Sequence, residues 1–98
     1  MLVVLPTLIL ENSFTLWKSR GMMKEKDKKR LLKFAVQLKK LRKKKGLTIR
    51  ELASRCDVDY GKISKLENNK ANLTLTTLIE LAEGLGIHTK ALLDIDFD

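Results

Sequence analysis

The 98-residue chain is poor in the residues that most chemistry needs: it holds one cysteine, one histidine, one proline and only 5% aromatics. A single cysteine excludes a disulfide framework and suits a reducing compartment. One Cys and one His fall short of the roughly four ligands of a zinc site. No Gly-rich phosphate loop, carboxylate dyad or nucleophile–base pair is recognisable, so neither an enzyme, a cofactor nor a metal is expected. Long apolar runs are missing too. The bursts Leu2–Leu5 and Leu8–Leu10 are split by Pro6 and stop at Glu11, short of the about 20 residues that span a bilayer. They also lack the early positive charge and small-residue cleavage site of a secretory signal. These absences exclude a membrane span and lead to a cytoplasmic expectation.

What the chain has is positive charge and helical periodicity. Lys plus Arg number 20 against 12 acids, a formal net charge of +8. From Lys18 to Lys45 the balance is 14 bases to 2 acids, whereas residues 46–98 carry 6 bases and 9 acids. Taken alone, such a run is the solvated face of a helix. In a small domain without catalytic equipment it also points to a polyanion, with nucleic acid the leading candidate.

Three pieces follow in order. Residues 1–23 form an apolar extension, strand-like or disordered, with Phe14 and Trp17 as candidate dimer-contact residues. Met22 and Met23 stand as alternative translation starts. Residues 25–45 read as one amphipathic helix, because Leu31, Phe34, Ala35, Leu38 and Leu41 recur at three- and four-residue spacing. Gly46 ends it. Residues 47–93 read as short capped helices. Thr48 with Glu51 forms a capping box, and Leu52, Ala53 and Cys56 face inward. Asp57–Val58 is a tight turn, Asp59 caps the next helix, and Ile63 and Leu66 are its inward stripe. Asn68–Asn69 closes that helix. Thr74 opens another, with Leu75, Leu78, Ile79, Ala82 and Leu85 at helical spacing and Gly86 as its stop. A last short turn runs through Lys90–Leu93, and residues 94–98 are an acidic tail expected to fray. No segment alternates like a strand, so the fold class is all-α, with a domain over 25–93.

Two short helices joined by a tight turn in a basic domain are the geometry that places one helix in the DNA major groove. At this point the residues carry a resemblance. LR at Leu41–Arg42, GLT at Gly46–Thr48, ELA at Glu51–Ala53, IS at Ile63–Ser64, LEN at Leu66–Asn68 and LIELAEGLGI at Leu78–Ile87, in this order and spacing, resemble the phage-repressor/Cro-type helix-turn-helix family, also called the XRE family. The likeness runs from about Leu31 to Leu93.

The resemblance implies a compact five-helix domain that binds double-stranded operator DNA as a homodimer, with dimer contacts around Ile87–Leu93. It implies that Thr48 caps the positioning helix and sets its first amides against a phosphate. Tyr60, Gly61 and Lys65 fall where the family's recognition helix meets base edges, with Lys62 and Ser64 as neighbours. Asn68 and Lys70 fall on the phosphate backbone just beyond, and Arg42 and Glu67 match a structural salt bridge. Val58 matches an apolar turn residue in the core.

The departures from the family pattern are specific. Asp57 and Asn69 replace turn glycines, and both residue types tolerate a left-handed backbone. Leu73 replaces a common proline. Ile49 stands where a Gln often contacts DNA, so that contact is lost or replaced. Gly61 inside a helix costs up to about 1 kcal/mol against Ala, and Asp59 near phosphates is tolerable only if capping occupies its carboxylate. Cys56 reads as a small core residue, and His88 as a surface residue without metal-binding neighbours.

The expectation is therefore a sequence-specific DNA-binding transcriptional regulator. A second reading is an antitoxin or accessory module that holds a protein partner, supported by the apolar extension. A third is general nucleic-acid binding through the lysines of 18–45, which requires steep salt dependence and little sequence preference.

Overall fold

The basic segment forms one long helix because its apolar residues share a stripe and its charges suit its ends. In the computed structural model, which describes residues 24–97, α1 spans Glu25–Lys44. Glu25 and Asp27 lie in its first turn, and Arg42, Lys43 and Lys44 in its last. This polarity complements the helix dipole. Phe34, Ala35 and Leu38 are buried, while Leu31 and Leu41 are half-buried. Gly46, at φ +72°, turns the chain out of the helix.

Four shorter helices follow: α2 (Ile49–Ser54), α3 (Tyr60–Glu67), α4 (Leu75–Leu85) and α5 (Thr89–Leu92). Side chains cap three of them. Thr48 and Glu51 exchange the two hydrogen bonds of a capping box at α2, Asp59 accepts from the Lys62 amide at α3, and Thr74 accepts from the Thr77 amide at α4. Asn69 (φ 59°) and Gly86 (φ 71°) provide the left-handed exits after α3 and α4.

The helices pack as α1 on α3 and α5, α2 on α3 and α4, and α4 on α5. The core lies where they converge. Leu38, Leu52, Ile63, Leu81 and Leu92, one from each helix, are its largest fully buried side chains. Each such burial stabilises the fold by roughly 1.5–3 kcal/mol. Val58 is buried in the turn between α2 and α3. Gly84 is needed by this packing, because a Cβ there would lie 3.0 Å from both Cys56 Cβ and Leu52 Cδ1.

Three expectations are corrected. Leu75 and Ile79 are 69% and 39% exposed: the buried stripe of α4 is Leu78, Leu81, Ala82 and Leu85, and its apolar surface is wider than the core it meets. Asp57 does not adopt a left-handed backbone, since Asn69 is the only non-glycine with positive φ among the described residues. The acidic tail does not fray over 94–97. Ile95 packs against the core, and Lys33 Nζ on α1 donates to the Asp96 carbonyl at 2.8 Å. Gln37 Nε2 likewise donates to the Asp94 carbonyl at 3.5 Å, beside its bond to the Ala91 carbonyl of α5. The strand-like or disordered extension of residues 1–23, with Phe14 and Trp17, lies outside the described residues, as does Asp98.

Candidate nucleic-acid interface

The α2–turn–α3 unit is held from three sides. From α1, Arg42 reaches Glu67 at the end of α3 with two parallel hydrogen bonds, Nε to Oε2 at 2.6 Å and Nη2 to Oε1 at 2.9 Å. Its remaining Nη1 donates to the Leu47 carbonyl at 2.7 Å. The two side chains are only 9% and 4% exposed, so this forked ion pair belongs to the interior. The hydrogen bonds that Arg42 donates to Glu67 hold the guanidinium pKa up, against the opposing effect of burial. The bridge therefore joins the end of α1, the α1–α2 loop and the end of α3.

From α4, Glu80 Oε1 accepts the backbone N–H of Asp57 at 2.8 Å. This fastens the turn without any left-handed residue. Cys56 sits behind it, half-buried, its Sγ donating to the Leu52 carbonyl at 3.4 Å. Burial pushes the Cys56 thiol up, so it stays neutral and behaves as a packing residue. At the front, the capping box fixes the start of α2. Glu51 Oε1 accepts from the Thr48 amide at 2.8 Å, and Thr48 Oγ1 from the Glu51 amide at 3.0 Å. These bonds hold the Glu51 carboxyl below its ordinary range.

With Ile63 and Leu66 buried, α3 turns its polar residues outward. Tyr60, Gly61, Lys65 and Asn68 are exposed, and Lys62 and Ser64 are half-buried. Gly61, Lys62 and Lys65 line one open groove of about 430 Å³ together with Asp59, Ala71 and Asn72. Asp59 is occupied there, its Oδ2 accepting from the Lys62 amide at 3.2 Å. An alanine Cβ at position 61 would stand 3.2 Å from that same oxygen, so Gly61 leaves room for the cap. Asn68 is engaged within α3, donating from Nδ2 to the Ser64 carbonyl at 2.8 Å. Lys70 is exposed just beyond the helix end, its amide closing onto the Lys65 carbonyl at 2.8 Å.

Thr48 and Tyr60 do not line that groove. Thr48 caps the start of α2 and Tyr60 opens α3. The Arg50 guanidinium lies 4.7 Å from the centroid of the Tyr60 ring. Arg50 escapes sequence reasoning because its only signal is a cation beside the atypical Ile49. Ile49 itself packs half-buried against the core. Ala71, Asn72 and Glu80 are also missed, since each reaches the unit from outside the helix pair. His88 is exposed at the start of α5 and makes no side-chain cap. Among the described residues there is no cluster of potential metal ligands and no helix long and apolar enough to cross a membrane.

Residues 38–92 match a family described as helix-turn-helix. The control protein C.MunI of a Mycoplasma species is 40% identical over 57 residues, covering 57% of this chain and 77% of that protein. The restriction-modification controller protein C.AhdI of Aeromonas hydrophila superposes with a TM-score of 0.61 at 32% identity, covering 63% of this chain and 94% of that one. The controller protein C.Esp1396I, solved as a tetramer in complex with its natural 35 base-pair operator, superposes with a TM-score of 0.63 at 32% identity. That match covers 66% of this chain and 86% of the neighbour.

Proposed function

The chain belongs to the helix-turn-helix family, and from that membership we propose that it is a sequence-specific DNA-binding transcriptional regulator that reads an operator as a homodimer. The observation that carries the reading is α3 itself. A buried forked ion pair fixes its far end, while Tyr60 and Gly61 at its start and Lys65 in its last turn are exposed to solvent. That is the arrangement a major-groove reader needs. Tyr60, Gly61 and Lys65 meet base edges, with Lys62 and Ser64 beside them. Thr48, at the start of α2, faces the backbone, and Asn68 and Lys70 grip phosphates past the helix end. Arg42 and Glu67 set the angle of α3. The functional domain is 25–93, and residues 94–97 close it against α1.

One copy offers one short helix, so two copies related by a two-fold axis read half-sites one helical turn apart. The protein is a binding module rather than an enzyme and works in the cytoplasm, where its operator lies. The likeness to controller proteins favours this over the partner-holding reading. The exposed lysines of α1 lie largely behind the reading pair and supply general attraction to the polyanion.

Purified protein incubated with sheared genomic DNA at near-physiological salt tests the proposal. Retained fragments should share a short inverted repeat. Retention without any shared motif would overturn the operator reading and leave general binding.

A further inference from the structure

Resting on the operator reading, we infer that Arg50 is a positioning residue. It holds the Tyr60 ring against the base edge while its own guanidinium binds the adjacent phosphate, so that the two act as one reading unit across both helices.

The guanidinium lies 4.7 Å from the ring centroid, within the about 6 Å range of a cation–π contact. Tyr60 remains 44% exposed and Arg50 is exposed as well, so the core does not hold either side chain in place. Arg50 also pairs with no carboxylate among the described residues. The contact covers one face of the Tyr60 ring and leaves its hydroxyl and ring edge open, while the N–H groups of the exposed Arg50 can serve a second acceptor. Placement divides these groups. Arg50 is the second residue of α2, the helix that crosses the DNA backbone in this geometry, whereas Tyr60 is the first residue of α3, whose N-terminal end meets bases. Ile49 is turned into the core, so the start of α2 offers Arg50 in the role a DNA-contacting side chain at position 49 would fill.

The test compares wild type, Arg50→Ala, Arg50→Lys, Tyr60→Ala and the double alanine variant on the inverted repeat enriched from genomic DNA and on single-base variants of it. Arg50→Ala should weaken operator binding roughly three- to thirty-fold and relax preference at the same base pair as Tyr60→Ala. The double variant should be little worse at that base pair than either single one. Arg50→Lys should restore the salt dependence but not the preference, because a point charge replaces the planar fork. In the free protein, the Arg50 methylene protons should show an upfield ring-current shift that Tyr60→Ala abolishes.

Equal weakening on every sequence, or additive losses at the Tyr60 base pair, would reduce Arg50 to a simple phosphate contact and overturn the inference while leaving operator binding intact. A missing ring-current shift in wild type would overturn it without reference to DNA. A wild type that enriches no motif would instead bring down the operator reading on which it rests.

Discussion

The two charged helices α1 and α3 are built for different purposes. α1 has ten basic residues along Glu25–Lys44, and α3 has only Lys62 and Lys65 along Tyr60–Glu67. Yet three polar contacts from different parts of the chain converge on α3 and its turn: the Arg42 fork at its end, the Glu80 clasp behind its turn, and the Asp59 cap at its start. Charge in bulk attracts a polyanion from any direction and at any register. Reading needs a side chain held at one position, and that comes from the scaffold. On the proposed reading, the densest charge therefore lies away from the helix that reads sequence.

The largest effect is expected at the scaffold. Replacing Arg42 with Met should destabilise the domain by about 3–5 kcal/mol, because Glu67 is left as a buried unpaired charge. The melting temperature should fall sharply, and adding Glu67→Met should recover part of the loss. No change on Arg42→Met would mean that the pair is solvated and holds nothing.

Packing behind the turn gives the next effect. Gly84→Ala should cost about 1–3 kcal/mol, since its Cβ has to displace Cys56 and Leu52. Urea denaturation would show the lower midpoint, and an unchanged midpoint would mean that the turn gives way freely.

Two DNA measurements sharpen the contrast between attraction and reading. Lys65→Ala should lose about 1–3 kcal/mol on the operator while leaving nonspecific binding nearly intact. Replacing Lys39, Lys40 and Lys43 together should lower affinity for all sequences equally, and lower the salt slope by less than one unit per lysine if α1 stays behind the reading pair. Competition titrations at several salt concentrations would show both, and equal weakening of all sequences by Lys65→Ala would remove that residue from the base edge.

The smallest effect concerns the cap of α2. The Thr48 hydrogen bonds hold the Glu51 carboxyl below its ordinary 4.5. A group with a depressed folded-state pKa stabilises above its unfolded value and loses that contribution as pH falls through the folded one. Melting temperature should therefore begin to drop as pH falls below that value, and Glu51→Gln should flatten part of the drop. Identical pH profiles would show that the capping box contributes nothing.

Much of this was legible in the sequence because caps and stops are local. Thr48 and Glu51, Asp59, Thr74, Asn69 and Gly86 act within a few residues of themselves, so their types and spacing announce the helices. The Arg42–Glu67 pair spans 25 positions, and only the family resemblance connected it. The crossing of α2 and α3 brings Arg50 over Tyr60, and the approach of α4 to the turn sets both the Glu80 clasp and the demand for Gly84. No local pattern encodes these. Leu75 and Ile79 misled because periodicity reports an apolar surface, whereas burial depends on what meets it. The tail misled because acidity suggested solvation, while Ile95 packs on the core and the Asp94 and Asp96 carbonyls dock it onto α1.

The central claim is that α3 reads the major groove, twice, across a two-fold axis. Dimethyl sulfate protection of the enriched operator tests it most directly, because guanine N7 is exposed only in the major groove. Two protected patches related by the inverted repeat, about one helical turn apart, are expected, both lost with Lys65→Ala. Protection spread evenly along the duplex, or none at guanine N7 despite binding, would contradict it.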